Sequence, residues 1–178
     1  MEYIRLTDSS HHLFEEAWQL YEQSFPLEER RPLSWQQTIM PHGNYRFELV
    51  LLEGNLVGIL LWWSFEEIRF IEHFATVPAL RGQGYGKLIL KDFASREERP
   101  VLLEVEPPHT EIQRRRIRFY EQNAFILNHH PYQQPPYHHG QPPLKLLLMS
   151  HPTSISHDAV SRFVSMRHPT IYEPGNII

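Results

Sequence analysis

Cysteine is missing from this chain of 178 residues. Its absence excludes disulfides, thiolate metal sites and a cysteine nucleophile. Long apolar runs are missing too, and none approaches the roughly 20 residues that a helix needs to cross a bilayer. No membrane partner is expected. Positive charge is not in excess: with neutral histidines the formal charge is −4. That balance argues against nucleic acid as a partner. The start, Met1-Glu2-Tyr3-Ile4-Arg5, lacks the basic segment and apolar stretch of a secretory signal. The simplest expectation is a cytoplasmic protein whose length suits one domain with a proper core. Glycine is scarce, at 8 residues, yet Gly82, Gly84 and Gly86 crowd into one short segment.

That segment is Arg81-Gly82-Gln83-Gly84-Tyr85-Gly86-Lys87, and it follows Ala75-Thr76-Val77-Pro78. An apolar stretch stops at a proline, turns through glycines and opens into a helix-like run from Lys87 to Ala94. Such a turn leaves backbone N–H groups pointing outward at a helix N-terminus, where the dipole favours an anion. Glycine lets the backbone approach a phosphate with no Cβ in the way. Arg81 adds positive charge, and a pyrophosphate is the expected ligand. The dinucleotide fingerprint G-x-G-x-x-G is one residue longer than Gly82, Gly84 and Gly86 allow. A P-loop needs a hydroxyl after its lysine, and Leu88 follows Lys87. A third pattern, [QR]-x-x-G-x-[GA], fits Arg81, Gly84 and Gly86 throughout. A tight turn that binds nothing is the plain alternative. It leaves unexplained why so many glycines weaken a helix start.

Along the chain, Tyr3 to Leu6 reads as a strand. Ser9 or Ser10 can cap a helix over 11–25, where Phe14, Trp18, Tyr21 and Phe25 recur at helical spacing. A charged connector, Leu27 to Pro32, precedes a short helix over 34–40. Segments 45–53 and 56–65 read as a hairpin turning at Gly54-Asn55. A strand over 68–77 leads to the glycine turn and a helix to about residue 96. The short apolar strand 101–105 reads as buried and parallel to its neighbour. A helix over 111–122 and closing strands at 125–128 and 144–149 complete the core. A hairpin followed by alternating strands and helices argues a mixed sheet with helices on both faces. Residues 129–143 are rich in proline and histidine and read as an extended loop. The spacing of their histidines does not suit zinc. The loop could cover a substrate pocket with Tyr132 and Tyr137 in its wall, or be plain surface. A moderate helical pattern over 158–167 could pack back on the domain, pair with a second copy as a homodimer, or fray.

Arg81, Gly84 and Gly86 in that third pattern resemble the coenzyme A loop of the GNAT superfamily of N-acetyltransferases. A second stretch, Arg114-Arg115-Arg116-Ile117-Arg118-Phe119-Tyr120-Glu121-Gln122-Asn123-Ala124-Phe125, is similar to the family's later helix and its exit, A-x-x-F-Y-E-x-x-G-F. Asn123 stands near the usual glycine and is the expected left-handed cap. The resemblance covers residues 3–149. It implies a GNAT domain over 1–150 and an extension over 151–178 with a short helix and tail. It also implies an α/β (α+β) GNAT fold with a mixed sheet of about seven strands, acetyl-coenzyme A as cosubstrate, and no metal. In that family two neighbouring parallel strands splay and the pantetheine arm lies in the gap. Here those would be 68–77 and 101–105, with backbone groups of Phe74, Ala75, Thr76 and Val77 facing the arm. Arg81, Gly82, Gln83, Gly84, Tyr85, Gly86 and Lys87 would hold the phosphates.

Acetyl transfer to an amine needs a base. An alkyl ammonium of pKa about 10 costs about 4 kcal/mol to deprotonate at pH 7. The leaving thiolate, pKa about 8.5, gains from an acid without requiring one. By resemblance, Tyr120 is the candidate acid, and Glu104 or Glu72 the candidate base. A one-residue slip in strand alignment would turn Glu72 to the other face, and His73 is a further candidate. Glu28 and Glu29 could attract a cationic amine, and Trp63, with Trp62 and Phe65, could wall its apolar part. The acceptor is expected to be a primary amine of a small molecule or peptide. A non-catalytic acyl-coenzyme A sensor on the same scaffold is the rival reading.

Overall fold

The computed structural model describes residues 1–173, which divide into two compact units, Met1–Arg99 and a second beginning at Pro100. In the first unit, β1 (Glu2–Leu6), β2 (Tyr45–Leu52), β3 (Asn55–Ser64) and β4 (Arg69–Thr76) lie side by side in that order, all antiparallel. Helices α1 (Phe14–Ser24), α2 (Leu33–Ile39) and α3 (Tyr85–Ser95) complete it. In the second unit, β5 (Val101–Val105) is followed by α4 (Glu111–Glu121), β6 (Ile126–Asn128), β7 (Gln133–Gln134), β8 (Leu144–Lys145), β9 (Leu147–His151) and α5 (His157–Tyr172). Strand β9 pairs antiparallel with β5 on one side and β6 on the other, while β7 and β8 form a separate small ladder. The expected seven strands of the α/β fold are present, β1 to β4 in the first unit and β5, β6 and β9 in the second.

Strand β3 is buried from Leu56 to Trp63 without alternation, as expected of a strand covered on both faces. Its Gly58 is required by crowding. A Cβ there would lie 2.7 Å from the Ala75 carbonyl oxygen on β4. The hairpin turn sits one residue earlier than its Gly-Asn dipeptide suggests. Glu53 (φ 51°) and Gly54 (φ 78°) both take left-handed backbone, the geometry of a type I′ turn, which matches the twist of the strands. Helix α1 begins later than its serines suggest. The Ser10 N–H bonds to Asp8 Oδ1, a local turn that keeps Ser10 out of the helix.

Helix α5 runs further than the pattern over 158–167. It continues through Pro169 to Tyr172 because Phe163, His168, Ile171 and Tyr172 are buried. Residues 174–178 of the expected tail lie outside the described residues. Among the described residues no helix is long and apolar enough to cross a membrane.

Candidate functional site

The glycine turn is built as its composition demands. Gly82 (φ 78°) and Gly84 (φ 86°) take left-handed backbone that other residues adopt at a cost. A Cβ at either would meet nothing within 4 Å, so the requirement at both is conformational. Gly84 is the N-cap of α3, and its carbonyl accepts from the Leu88 N–H at 3.1 Å. Among the described residues, the N–H groups of Gly82, Gln83, Gly84, Tyr85, Gly86 and Lys87 have no hydrogen-bond acceptor. The side chains of Arg81, just before this run, and of Lys87, its last member, are both exposed. Consecutive free donors, a helix dipole and two cations make a cradle for a polyanion.

Strand β4 and the residue that follows it hold this cradle at both ends of α3. Val77, just before the turn, donates its N–H to Val57 at 3.0 Å. At the other end the buried Arg69 guanidinium donates to the carbonyls of Phe93, Ala94, Glu97 and Arg99, capping the last turn. Ile89 packs with Val50 and Val57, and Phe74 and Leu80 lie against that cluster. Of the residues expected to face the coenzyme arm, Phe74, Thr76 and Val77 are half-buried and Ala75 is buried.

Glu72 is placed differently from the expectation of a free base. Its carboxylate takes Arg31 Nη1 at 2.7 Å and Nη2 at 2.5 Å, and the indole N–H of Trp63 at 2.9 Å. Both ionic side chains are fully buried, and the Arg31 guanidinium lies over the rings of Trp35, Tyr45 and Trp63. Trp63 is itself fully buried and stacks on Phe65. It belongs to the core, and Trp62 is buried as well, so the structure leaves neither as an open pocket wall. Glu28 is exposed and Glu29 half-buried, in the turn Leu27–Glu29.

His73 Nε2 lies 2.7 Å from the Glu29 carbonyl, which only accepts, so this nitrogen carries the proton. Burial pushes the His73 imidazole down to about 4, and does the same to His168. Both are neutral in the folded protein, whereas the unfolded chain takes up protons near pH 6.5. Stability is therefore full above that pH and falls as pH drops from about 6.5 towards 4, by about 1.4 kcal/mol per pH unit for each histidine. Urea denaturation at pH 7.5, 6.0 and 5.0 measures the loss. A flat profile across this range would show that these imidazoles titrate freely in the folded state.

In the second unit, Tyr120 on α4 is buried, and burial raises its phenol to about 12. Helix α4 starts with a capping box between Thr110 and Gln113. At its exit Ala124 (φ 63°), not Asn123, takes the left-handed position. The Asn123 side chain instead bonds back to the Phe119 carbonyl at 2.7 Å. The basic run is mostly paired: Arg114 and Arg118 with Glu111, and Arg116 with Glu106. Glu104 on β5 accepts from the hydroxyls of Tyr132 and Tyr172. Tyr132 and Tyr137 are buried, Tyr137 against the ring of Tyr172. Both expected pocket-wall tyrosines are thus packed inside the second unit. His168 and Tyr172 escaped the sequence reading. Their signal is a four-residue spacing that puts both on one helix face, and it lies beyond the helical pattern over 158–167, past a proline that ordinarily ends a helix. Among the described residues no cluster of three or more histidines, aspartates or glutamates could hold a metal ion.

The family model for the acetyltransferase (GNAT) domain matches residues 44–127. A solved structure from Bacteroides thetaiotaomicron, assigned to the GNAT acetyltransferases, is 33% identical. The match covers 97% of this chain and 98% of that one, with a TM-score of 0.90. Two more distant structures share the fold. Spermidine N-acetyltransferase from Vibrio cholerae has TM-score 0.61 and 11% identity, over 84% of this chain and 94% of that one. Naa50 from Arabidopsis thaliana, in complex with the bisubstrate analogue CoA-Ac-MVNAL, has TM-score 0.58 and 16% identity, over 87% and 100%. No curated protein sequence matches the chain.

Proposed function

The chain belongs to the GNAT acetyltransferase family, and we propose that it moves an acetyl group from acetyl-coenzyme A to a primary amine of a small molecule or peptide by direct attack on the thioester. One observation carries this reading: the run of unbonded N–H groups from Gly82 to Lys87 at the start of α3. That run suits a pyrophosphate, and the open space at Gly82 and Gly84 admits one. Amine acceptors are supported by two relatives of the same fold, one a spermidine N-acetyltransferase and one bound to an acetylated peptide joined to coenzyme A.

In this reading Glu104 relays the ammonium proton to water, at the cost of about 4 kcal/mol that pH 7 sets. The freed amine attacks the thioester carbonyl, the C–S bond breaks, and the leaving thiolate takes the second amine proton. A phenol at about 12 stays protonated at neutral pH. Full proton transfer from it to a thiolate of pKa about 8.5 would be uphill by about 5 kcal/mol. Tyr120 therefore acts by donating a hydrogen bond to the sulfur as charge develops. Tyr120→Phe should lower kcat by about 10- to 100-fold and leave the coenzyme Kd within about two-fold. Stopped-flow thiol release with parallel calorimetry measures both, and a wild-type kcat would remove the role. Glu72, held by Arg31 and Trp63, is assigned to anchoring and not to base catalysis.

A second reading, a non-catalytic acyl-coenzyme A sensor, draws support from the same carboxylates, since donors already engage both Glu72 and Glu104. Coenzyme A release over a panel of polyamines, amino acids, aminoglycosides and peptide N-termini separates the two. Binding without turnover on every amine would favour the sensor, and no binding at all would end both readings.

A further inference from the structure

The sequence reading offers the proline- and histidine-rich loop only as a pocket cover and gives the tail helix no part in acetyl transfer, yet in the second unit Tyr132 of the loop and Tyr172 of the helix meet at Glu104. The Tyr132 hydroxyl donates to Glu104 Oε1. The Tyr172 hydroxyl donates to the same oxygen at 2.9 Å. His168 Nε2 lies 2.9 Å from the Tyr132 hydroxyl. An ionised carboxylate only accepts, so each phenol uses its single proton on Glu104. The remaining contact then has one direction: His168 Nε2–H donates to the Tyr132 oxygen. Three edge-on aromatic contacts hold the His168 ring, from Tyr172 at 5.1 Å and from Phe163 and Tyr132 at 5.5 Å.

We propose that α5 is a working part of the acetyl-transfer apparatus: Tyr132, His168 and Tyr172 are positioning residues that fix the orientation of the Glu104 carboxylate and keep it ionised. The proposal rests on the reading of Glu104 as the base. Hydrogen bonds to the charged form of a carboxyl favour that form. Bonds from two phenols, one itself backed by an imidazole N–H, leave the carboxylate little freedom to turn. Charged residues next in sequence to this cluster are Glu106, paired with Arg116 of α4 at 2.5 Å, and Arg167 and Glu173, which flank the turn carrying His168 and Tyr172; α5 also carries Asp158 and Arg162 nearer its start.

The test is the titration of Glu104 itself, followed by carboxyl carbon NMR in protein labelled at glutamate. The variants are Tyr132→Phe, Tyr172→Phe, His168→Leu and His168→Gln. Losing one phenol donor should raise the Glu104 midpoint by about one pH unit. His168→Gln keeps an N–H donor and should hold the wild-type midpoint, whereas His168→Leu should move it in the same direction as Tyr132→Phe. The acid limb of the kcat/KM profile should shift upward in step, with coenzyme affinity unchanged. An unmoved midpoint in both phenylalanine variants overturns the proposal. A midpoint that moves while the rate profile stays in place supports the positioning and overturns the reading of Glu104 as base. The titration needs no turnover, so it decides the positioning even if no amine on the panel is acetylated.

Discussion

Gly84→Glu abolishes measurable acetyl-coenzyme A binding, raising Kd by at least about 100-fold. Two costs combine. At φ 86° a residue with a Cβ is strained by about 1 kcal/mol. The new carboxylate also stands at the helix N-cap, where the pyrophosphate would rest. Two unit charges about 4 Å apart repel by about 4 kcal/mol at an effective dielectric constant near 20, and by less where water screens them. Gly84→Ala isolates the first cost. Its Cβ meets open space, so it should weaken binding only about five-fold, the equivalent of about 1 kcal/mol. Calorimetry with acetyl-coenzyme A measures both variants. Unchanged affinity in Gly84→Glu would move the coenzyme away from this turn.

Arg31→Met destabilises the first unit by about 3–5 kcal/mol, because it leaves the Glu72 carboxylate buried without its cation. For a chain of this size the melting temperature should fall by on the order of 10 °C. Replacing Glu72 with Met at the same time should restore most of that loss, since a well-packed apolar pair can match a buried ion pair. Thermal melts of the two single variants and the double variant test the coupling. Additive losses would mean that the two side chains do not act as a pair. The double variant also bears on mechanism. If it still releases coenzyme A in the presence of an amine, Glu72 is not the base.

Much of the fold was legible from local pattern. Strand β5 was placed to the residue, because a short apolar run stopped by Pro107 and Pro108 has little freedom to shift. The hairpin was legible but displaced by one residue. The left-handed pair that the turn needs fell on Glu53 and Gly54, although Asn55 is the better left-handed former by composition. The same competition moved the cap of α4 from Asn123 to Ala124, because the Asn123 amide finds the Phe119 carbonyl instead. In both places the register of the flanking element overrode the preference of a single residue.

Residues contiguous in the chain determined the cradle. Glycine at 82 and 84, a strand before and a helix after are enough to set free N–H groups outward, since backbone geometry and the helix dipole are local properties. The fate of each candidate carboxylate was decided only by tertiary packing. Glu72 meets Arg31 across 41 positions of sequence. Glu104 meets Tyr132 across 28 and Tyr172 across 68. A glutamate on a strand reads alike whether it faces solvent, an arginine or a pair of phenols. Its environment comes from whichever distant segments fold against it, and no local spacing records that.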